Sequence, residues 1–426
     1  MTRPATDNYQ TLSVESVGEY LGRVDSVTSL LGEKSGDWSV SEIGDGNLNL
    51  VFLVQSPKGS VIAKQALPYL RARGEGWPLP LSRSFFEYEA LTREESRAKG
   101  MTPMVLHFDR NMALTVMEFL TPHIILRKGL VRGIQYPRLA TDLGLFLART
   151  LFRGSDFSMN AADKRADIAL FAGNDALCAV TEARVFTEPY FNAELNRWTS
   201  PQLDESVAMI RSDSQLKTAI HEMKTVFMSK SQSLLHGDLH SGSVMVTEHD
   251  TRVIDPEFAF YGPMGFDVGA LLGNYLLAYI AQKGQVKDDD DRIAYSDWIL
   301  KTVEDTWITF EREFRNLWQT ERTGELFPPR VFGDGDADET DRALANFLRD
   351  VFEDSIGFAA AKMIRRVIGA AHVEDLESIV DPNRRAECEK KVLSLARNLI
   401  LNRKTLPGMS DVIALAREIR NGVQPL

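Results

Sequence analysis

The sequence predicts an α+β protein of two lobes, a strand-rich small lobe over residues 1–117 and a mostly helical large lobe over residues 123–426. Two changes in sequence pattern support this division. Short apolar runs with alternating side chains, separated by turn residues, dominate the first part and are typical of β-strands. After residues 118–122 the apolar residues recur at helical spacing, which is typical of amphipathic helices. The segment 118–122 is therefore predicted to be a hinge.

The small lobe begins with helical periodicity at residues 12–31. The β-rich runs LVFLV and SVIAK follow, and the SPKG turn between them predicts a hairpin or two adjacent strands. The segment RSFFEYEALTREESRAKG predicts a helix that ends at Gly100. Two more strands are predicted on either side of a turn at residues 109–111. The lobe thus combines a sheet with a few helices.

In the large lobe, amphipathic patterns predict helices at residues 136–152, 214–230 and 344–371. The segment SLLHGDLHSGSVMVTEHDTRVID interrupts this pattern with three short β-like runs. Asp238 follows the first run and Asp255 ends the third. This order predicts that the two carboxylates lie at the ends of neighbouring strands.

Composition excludes several classes of function. The net charge of −11 argues against a protein that grips nucleic acid over a whole face, and any anion site must be local. Cys178 and Cys388 are far apart in the chain, which fits a reducing cytosol and argues against a disulfide scaffold or a cysteine-based zinc site. Neither a secretion signal nor an apolar run long enough for a membrane is evident. A cytoplasmic protein is predicted.

Three acidic residues in this β-like segment, or directly after it, suggest a metal site. Carboxylates that lie close together repel each other and raise each other's pKa, and a divalent cation relieves this repulsion. Asp255 and Glu257, linked through Pro256, form an oxygen-rich pair suited to Mg²⁺, close to Asp238. The alternative is that Asp238 and Asp255 only cap turns.

Two features of the small lobe suit a phosphate ligand. Gly44 and Gly46 precede a strand, so their backbone N–H groups could approach phosphates, although a tight turn also explains them. Lys64 ends an apolar strand and needs a partner if it is buried, either a bound phosphate or a carboxylate such as Glu87 or Glu89. A strand-end lysine that reaches solvent is the alternative.

The segment VMEFL at 116–120 crosses between the lobes and offers backbone hydrogen-bonding groups to a planar base. In chain order, the sequence thus contains a glycine loop, a strand lysine, a helix glutamate, a hinge, a His-x-Asp loop and a second acidic motif. This order is typical of phosphoryl transfer in the protein-kinase-like fold.

The chain resembles the S-methyl-5-thioribose (methylthioribose) kinase family over nearly its whole length. The segments that carry the resemblance are EIGDGNLNLVF, GEGWPLPLSR, HGDLHSGSVMV, VIDPEFAFYGPMGFDVGALLGN and IGFAAAKMIRRVIGAAHVEDLESI. HGD also occurs in choline and aminoglycoside kinases, whereas DPEFAFYGP and the Arg-Arg helix are more specific. The resemblance implies ATP- and Mg²⁺-dependent phosphorylation of the C1 hydroxyl of S-methyl-5-thioribose in methionine salvage, by a homodimer.

The resemblance also implies roles for individual residues. Asp238 would accept or orient the proton of the sugar hydroxyl, and Asp255 and Glu257, joined by Pro256, would hold Mg²⁺. Implied nucleotide contacts are Gly44, Asp45, Gly46, Asn47, Asn49, Lys64 with its partner Glu87, Met117, Glu118, Phe119 and Leu120.

Arg365, Arg366 and Trp77 would contact the sugar or the transferred phosphate. From the residues alone, a solvated basic edge and a loop anchor remain alternatives for the arginines and for Trp77. Ser243 stands where protein and choline kinases carry a metal-binding asparagine, and Asp-Pro-Glu replaces Asp-Phe-Gly. Both departures match methylthioribose kinases, and Glu257 restores an oxygen ligand that Ser243 removes.

Two alternatives remain open. One is another small-molecule kinase, acting on an aminoglycoside, choline or a different sugar. The acidic segments 287–292 and 333–341, predicted to be exposed loops, are the one feature that favours a cationic substrate. The other is a nucleotide-binding pseudokinase that acts as an interaction protein. Ser243 favours it, whereas retention of Lys64, Asp238, Asp255 and Glu257 argues against it.

Overall fold

The computed structural model describes residues 9–43, 48–70, 77–286, 292–331 and 337–422. The strands are β1 (Ser39–Glu42), β2 (Asn49–Gln55), β3 (Ser60–Ala66), β4 (Val105–Asp109), β5 (Leu114–Glu118), β6 (Ile124–Ile125), β7 (Ser233–Leu235), β8 (Val244–Val246), β9 (Thr251–Val253) and β10 (Phe260–Gly262). The α-helices are α1 (Val14–Leu21), α2 (Asp25–Leu31), α3 (Arg83–Arg97), α4 (Leu126–Arg132), α5 (Leu139–Arg153), α6 (Ala161–Phe171), α7 (Asp175–Phe186), α8 (Asp204–Ser212), α9 (Ser214–Ser229), α10 (Gly265–Gln285), α11 (Ile293–Thr320), α12 (Ala337–Ile368), α13 (Glu374–Glu377), α14 (Pro382–Asn402) and α15 (Met409–Asn421).

The N-terminal part is an antiparallel five-stranded sheet in the order β1-β2-β3-β5-β4. Alternate residues of β2 and β3, among them Phe52, Val54, Val61 and Ala63, are buried in one apolar cluster that includes residues of α1 and α2. The alternation leaves Lys64 on the opposite face of the sheet from Ala63. The predicted order of a sheet followed by a mostly helical region is confirmed.

The helical part is built around α10 and α12, which approach each other closely. A side chain on Gly269 would meet the Ser355 carbonyl oxygen at 2.3 Å, and one on Gly273 would meet the Ala359 carbonyl oxygen at 2.9 Å. These glycines therefore allow backbone-to-backbone packing of the two helices. No helix among the described residues is long and apolar enough to cross a membrane.

Two predictions about local structure were wrong. The strands before Asp238 and Asp255 are not neighbours, because β7 pairs with β10 whereas β9 pairs with β8 in a separate sheet. Strands of three residues carry too little sequence pattern to specify their partners. Residues 337–341 belong to the start of α12 rather than to a loop, while residues 287–291 and 332–336 lie outside the described part of the chain.

Candidate active site

Lys64 on β3 lies among three carboxylates from different parts of the chain. Its Nζ atom is 2.7 Å from Oε1 of Glu87 on α3 and 3.3 Å from Oε1 of Glu257, and it forms an ion pair with Asp255. Of the two candidate partners on α3, Glu87 makes this contact, whereas Glu89 pairs with Arg93 at 2.5 Å. Lys64 is therefore a largely buried, paired lysine, with a side chain 12% exposed, rather than a strand end that reaches solvent.

Burial and pairing set the charge states in this cluster. Burial lowers the pKa of Lys64, but the three carboxylates outweigh it and raise that pKa well above its usual value. Burial also raises the pKa of Glu87, against the opposing effect of Lys64. The pKa of Glu257 is lowered, because Lys64 and Arg83 outweigh the effect of its burial. Lys64 thus stays charged, and Glu257 stays ionised.

Asn49 and Arg83 hold Glu257 from the side of the small sheet. The Asn49 amide donates to Glu257 Oε1, and Arg83 Nε lies 3.7 Å from Glu257 Oε2. Arg83 is completely buried and also donates to Asn49 Oδ1 at 3.2 Å and to the Leu67 carbonyl at 2.8 Å. Sequence reasoning missed Arg83, since only the folded chain brings the start of α3 to this acidic loop.

The three carboxylates fit a divalent cation. Oxygen atoms of Glu87, Asp255 and Glu257 all lie within 4.8 Å of one another, so an all-oxygen ligand set of the kind Mg²⁺ prefers is within reach. Burial and the neighbouring carboxylates raise the pKa of Glu87 to about 8 and also raise that of Asp255, against the effect of Lys64. A divalent cation would relieve this crowding of carboxylates, and Asp255, whose side chain is 47% exposed, is the member open to it.

The loop that carries Asp255 and Glu257 is held in a strained shape. Asp255 has φ of 71°, a left-handed conformation that aspartate tolerates better than most residues. The side-chain amide of Asn174, just before α7, donates to the carbonyl oxygens of Glu257 at 2.8 Å and of Ala259 at 3.0 Å. Asn174 and buried Pro256 thereby fix the direction in which both carboxylates point.

The Asp238 loop is fixed by hydrogen bonds to its backbone. Asp267, in the first turn of α10, accepts from the backbone N–H groups of His236 at 2.7 Å and of Gly237 at 3.0 Å. The His236 ring donates from Nε2 to the Ile254 carbonyl at 2.9 Å and accepts the Asp238 N–H at Nδ1 at 3.3 Å. Burial lowers the pKa of His236, so a neutral ring connects the two acidic loops.

Gly237 allows the Asp238 loop to pass close to the loop that carries Asp255 and Glu257, called the metal loop below. It has φ of 84°, and an added Cβ atom would lie 2.0 Å from the Phe258 carbonyl oxygen. Gly100 is a matched control, because it has φ of 76° but open space around the Cβ position.

We expect Gly100→Ala to cost about 1–2 kcal/mol of unfolding free energy, from the backbone conformation alone. We expect Gly237→Ala to cost distinctly more, because the Phe258 backbone must also move. Denaturant unfolding of both variants measures the difference. Equal losses would show that the close approach at Gly237 is unimportant.

Asp238 forms a second charged cluster with α12. Lys362 Nζ lies 2.8 Å from Asp238 Oδ1, and His240 Nε2 lies 3.4 Å from Oδ2. Burial raises the pKa of Asp238, but Lys362, together with Arg365 and Arg366, outweighs this and brings the pKa well below its usual value. Asp238 is therefore an ionised carboxylate in buried surroundings.

Sequence reasoning missed Lys362. A signal was available, because residues three and four apart on a helix share a face and Lys362 stands at that spacing from Arg365 and Arg366. Both arginines add positive charge around Asp238. Their Nε atoms are buried without a hydrogen-bond partner among the described residues, and Arg366 Nη1 donates to the Ala371 carbonyl at 3.2 Å. This face of α12 is suited to an anionic ligand.

Trp77 lies close to α7, whose Arg184 acts on the charged cluster of α12. The Arg184 guanidinium on α7 lies over the Trp77 ring, 5.1 Å from its centroid. Burial lowers the pKa of Arg365, and the charges of Arg127 and Arg184 lower it further. Trp77 thus contacts an arginine whose charge acts on the α12 cluster.

Four of the predicted nucleotide contacts lie in the segment between the sheet and the helices, namely Met117, Glu118, Phe119 and Leu120. Met117 and Leu120 are buried, and Phe119 is partly buried. The Glu118 carboxylate accepts the Met104 N–H at 3.1 Å and lies 3.7 Å from Arg252, so the protein itself engages this side chain. Gly44, Asp45, Gly46 and Asn47 lie outside the described residues.

Ser243 has a structural role in the Asp238 loop. Its hydroxyl donates to the Asp238 carbonyl at 3.0 Å and lies 3.1 Å from His240 Nδ1. Ser243 is buried, and its hydroxyl is used by these two contacts within the loop. Ser243 thereby orders the segment that presents Asp238.

Comparison with known proteins supports a kinase assignment. Residues 39–299 match the phosphotransferase enzyme family. The chain is 45% identical to methylthioribose kinase of Escherichia coli O45:K1, over 98% of this chain and 100% of that protein. It is 43% identical to methylthioribose kinase 1 of Oryza sativa subsp. japonica, over 95% of this chain and 94% of that protein.

The chain also matches solved structures, at far lower sequence identity. A glucosamine kinase in complex with glucosamine, ADP and inorganic phosphate matches with a TM-score of 0.44 and 13% identity, over 90% of this chain and 86% of that one. A choline/ethanolamine kinase family protein from Mesorhizobium loti matches with a TM-score of 0.41 and 13% identity, over 96% of this chain and 99% of that one.

Proposed function

Because the chain belongs to the methylthioribose kinase family, we propose that it transfers the γ-phosphoryl group of ATP to the C1 hydroxyl of S-methyl-5-thioribose. The products are S-methyl-5-thioribose 1-phosphate and ADP, in a step of methionine salvage. The observation that carries the proposal is the pairing of two clusters: carboxylates suited to a metal around Lys64, and cations around an ionised Asp238. Phosphoryl transfer needs charge stabilisation on both sides of the transferred group.

On the nucleotide side, Asp255 and Glu257 would hold Mg²⁺, and the ion would supply positive charge for the ATP phosphates. Lys64, positioned by Glu87, contacts the phosphates, and Asn49 contributes to the cover over the nucleotide. The backbones of Glu118 and Leu120 bind adenine, with Met117 behind the base and Phe119 between them. The family resemblance of the sequence adds Gly44, Asp45, Gly46 and Asn47 to the proposed nucleotide contacts.

On the acceptor side, Asp238 accepts the proton of the C1 hydroxyl as its oxygen attacks the γ-phosphorus. The bond between the γ-phosphorus and the bridging oxygen breaks, and its electron pair leaves with ADP. Arg365 and Arg366 neutralise the phosphate that now belongs to the sugar. Trp77 lies over the sugar.

An acceptor panel tests the proposal. ADP release is measured with Mg²⁺-ATP and methylthioribose, ribose, choline or kanamycin. We expect turnover with methylthioribose, and only slow turnover with the others. Choline and kanamycin are cationic, and Lys362, Arg365 and Arg366 would repel them. Faster turnover of another acceptor would move the function to a sister kinase, and ATP binding without any turnover would favour a pseudokinase.

Three broader features belong to the same proposal. The lobes are residues 1–117 and 123–426, with residues 118–122 as the hinge between them. The protein is a homodimer, which light scattering at several concentrations tests directly. It acts in the cytoplasm, which fits the two unpaired cysteines, Cys178 and Cys388.

A further inference from the structure

We propose that Lys362 is a positioning residue for phosphoryl transfer: it holds one oxygen of Asp238 and leaves the other oxygen to the acceptor hydroxyl. This inference rests on the proposed function, because it assigns the geometry of the same acceptor site. Lys362 Nζ is 2.8 Å from Oδ1, which is a strong charge-assisted contact. The neighbour of Oδ2 is His240 Nε2 at 3.4 Å, a distance too long for a strong hydrogen bond.

The environment of Lys362 gives the ammonium group one anionic anchor. Its side chain is 3% exposed, and Nζ lies over the Phe266 ring, 4.6 Å from the centroid. Among the described residues, Asp238 is the one carboxylate within ion-pair distance of Lys362. A buried ammonium with one strong partner has little freedom, so it fixes the rotation of the Asp238 carboxylate.

A purely stabilising role does not explain a lysine at this position. Burial of an ion pair contributes little net stability, and an apolar side chain of similar size is often as good or better. Lys362 also stands close to Arg365 and Arg366, which repel it. Burial and these arginines lower the pKa of Lys362 to about 8, although Asp238 opposes the shift. A cation kept here against repulsion points to a use in the reaction.

The charge around Asp238 determines how the reaction should respond to pH. The groups that face Asp238 are Lys362, Arg365 and Arg366 on α12, His236 and His240 on its own loop, and Asp255 on the metal loop. Lys362 also interacts with Asp267 on α10. Asp238 accepts a proton only when it is ionised, so the rate should fall when Asp238 gains a proton at low pH. Lys362 favours the ionised carboxylate and therefore keeps this fall at low pH. It should also fall as Lys362 loses its proton above about pH 8.

The test uses the full-length protein with Lys362→Met, which keeps the approximate length of the side chain and removes its charge. We expect kcat for methylthioribose to fall by about 100-fold, since misplacing a reacting group by even 1 Å has that effect. KM for ATP should change by less than about threefold. The acid limb of kcat/KM should move to higher pH, and the limb near pH 8 should disappear. Lys362→Arg, which keeps a charge, should recover part of kcat.

A matched control removes another ion pair of the same helix. Lys230 pairs with Asp354 of α12 at 2.6 Å, two helical turns before Lys362. Lys230→Met should lower stability without moving either limb of the pH profile. Thermal unfolding of each variant shows whether it is folded under assay conditions, and if Lys362→Met is not folded, the same measurements are made on Lys362→Gln.

The outcomes separate this inference from the proposed function. Failure of the unmodified protein to phosphorylate methylthioribose would overturn the proposed function itself. If the unmodified protein is active, an unchanged kcat or an unchanged acid limb in the folded Lys362 variant would overturn the role of Lys362. A lower kcat with the acid limb at higher pH and no limb near pH 8, beside an unshifted Lys230→Met profile, would support it.

Discussion

Replacing Asp238 with asparagine is expected to lower kcat for methylthioribose by about 10²–10⁴-fold, the usual contribution of a general base. Asparagine keeps the shape of the side chain and can still accept the Lys362 contact, but it cannot accept the proton of the hydroxyl. The affinity for ATP should change little, because Lys64 and the metal-binding carboxylates remain in place. Steady-state kinetics and a nucleotide-binding titration measure the two effects separately.

The control for Asp238 is an exposed aspartate on a helix far along the chain. Asp305 forms a surface ion pair with Lys301 on α11, at 2.9 Å. Such pairs contribute little to stability, so Asp305→Asn should leave both kcat and ATP affinity unchanged. An Asp238→Asn enzyme with undiminished kcat would remove Asp238 from the mechanism.

Replacing Asp255 with asparagine is also expected to lower the rate strongly. Asparagine also tolerates the left-handed backbone at this position, so the change removes a charge without adding backbone strain. We expect kcat to fall by about 10²-fold or more, because charge stabilisation on the phosphates is lost. We also expect more Mg²⁺ to be needed for half-maximal rate. Activity measured against Mg²⁺ at fixed ATP provides both values.

Asp255→Ala is a useful companion, because alanine adds backbone strain to the loss of charge. The difference in unfolding free energy between the alanine and asparagine variants measures that strain. An Asp255→Asn enzyme with the Mg²⁺ dependence of the unmodified protein would place the metal elsewhere. Glu257→Gln then identifies which of the remaining carboxylates is used.

Local patterns predicted much of this architecture. Alternating apolar residues identified β2 and β3, and helical periodicity identified α3, α5, α9 and most of α12. Signals of this kind are carried by neighbouring residues, so they can be read without knowledge of the fold. The pairing of β7 with β10 could not be found this way, because strands of three residues leave the choice of partner to the rest of the fold.

The parts of the candidate site that could be predicted are those in which a single segment of the chain contains the functional residues. The acidic residues of the two loops were evident, but the contacts that aim them come from distant elements. Asn174 holds the metal loop, Asp267 holds the Asp238 loop, and Arg83 supports Glu257. Nothing in a single segment shows that these residues meet. Lys362 differs from them, because its spacing from Arg365 placed it on a helix face already predicted to be functional.

The proposed transfer of phosphate to the C1 hydroxyl is tested most directly by the chemical structure of the product. The protein is incubated with Mg²⁺-ATP and S-methyl-5-thioribose, and phosphorus and proton NMR locate the new ester. The proposed reaction gives one phosphate per sugar, coupled to the anomeric proton, with one ADP formed for each ester. A phosphate on another hydroxyl, or ADP formed without an ester, would contradict it.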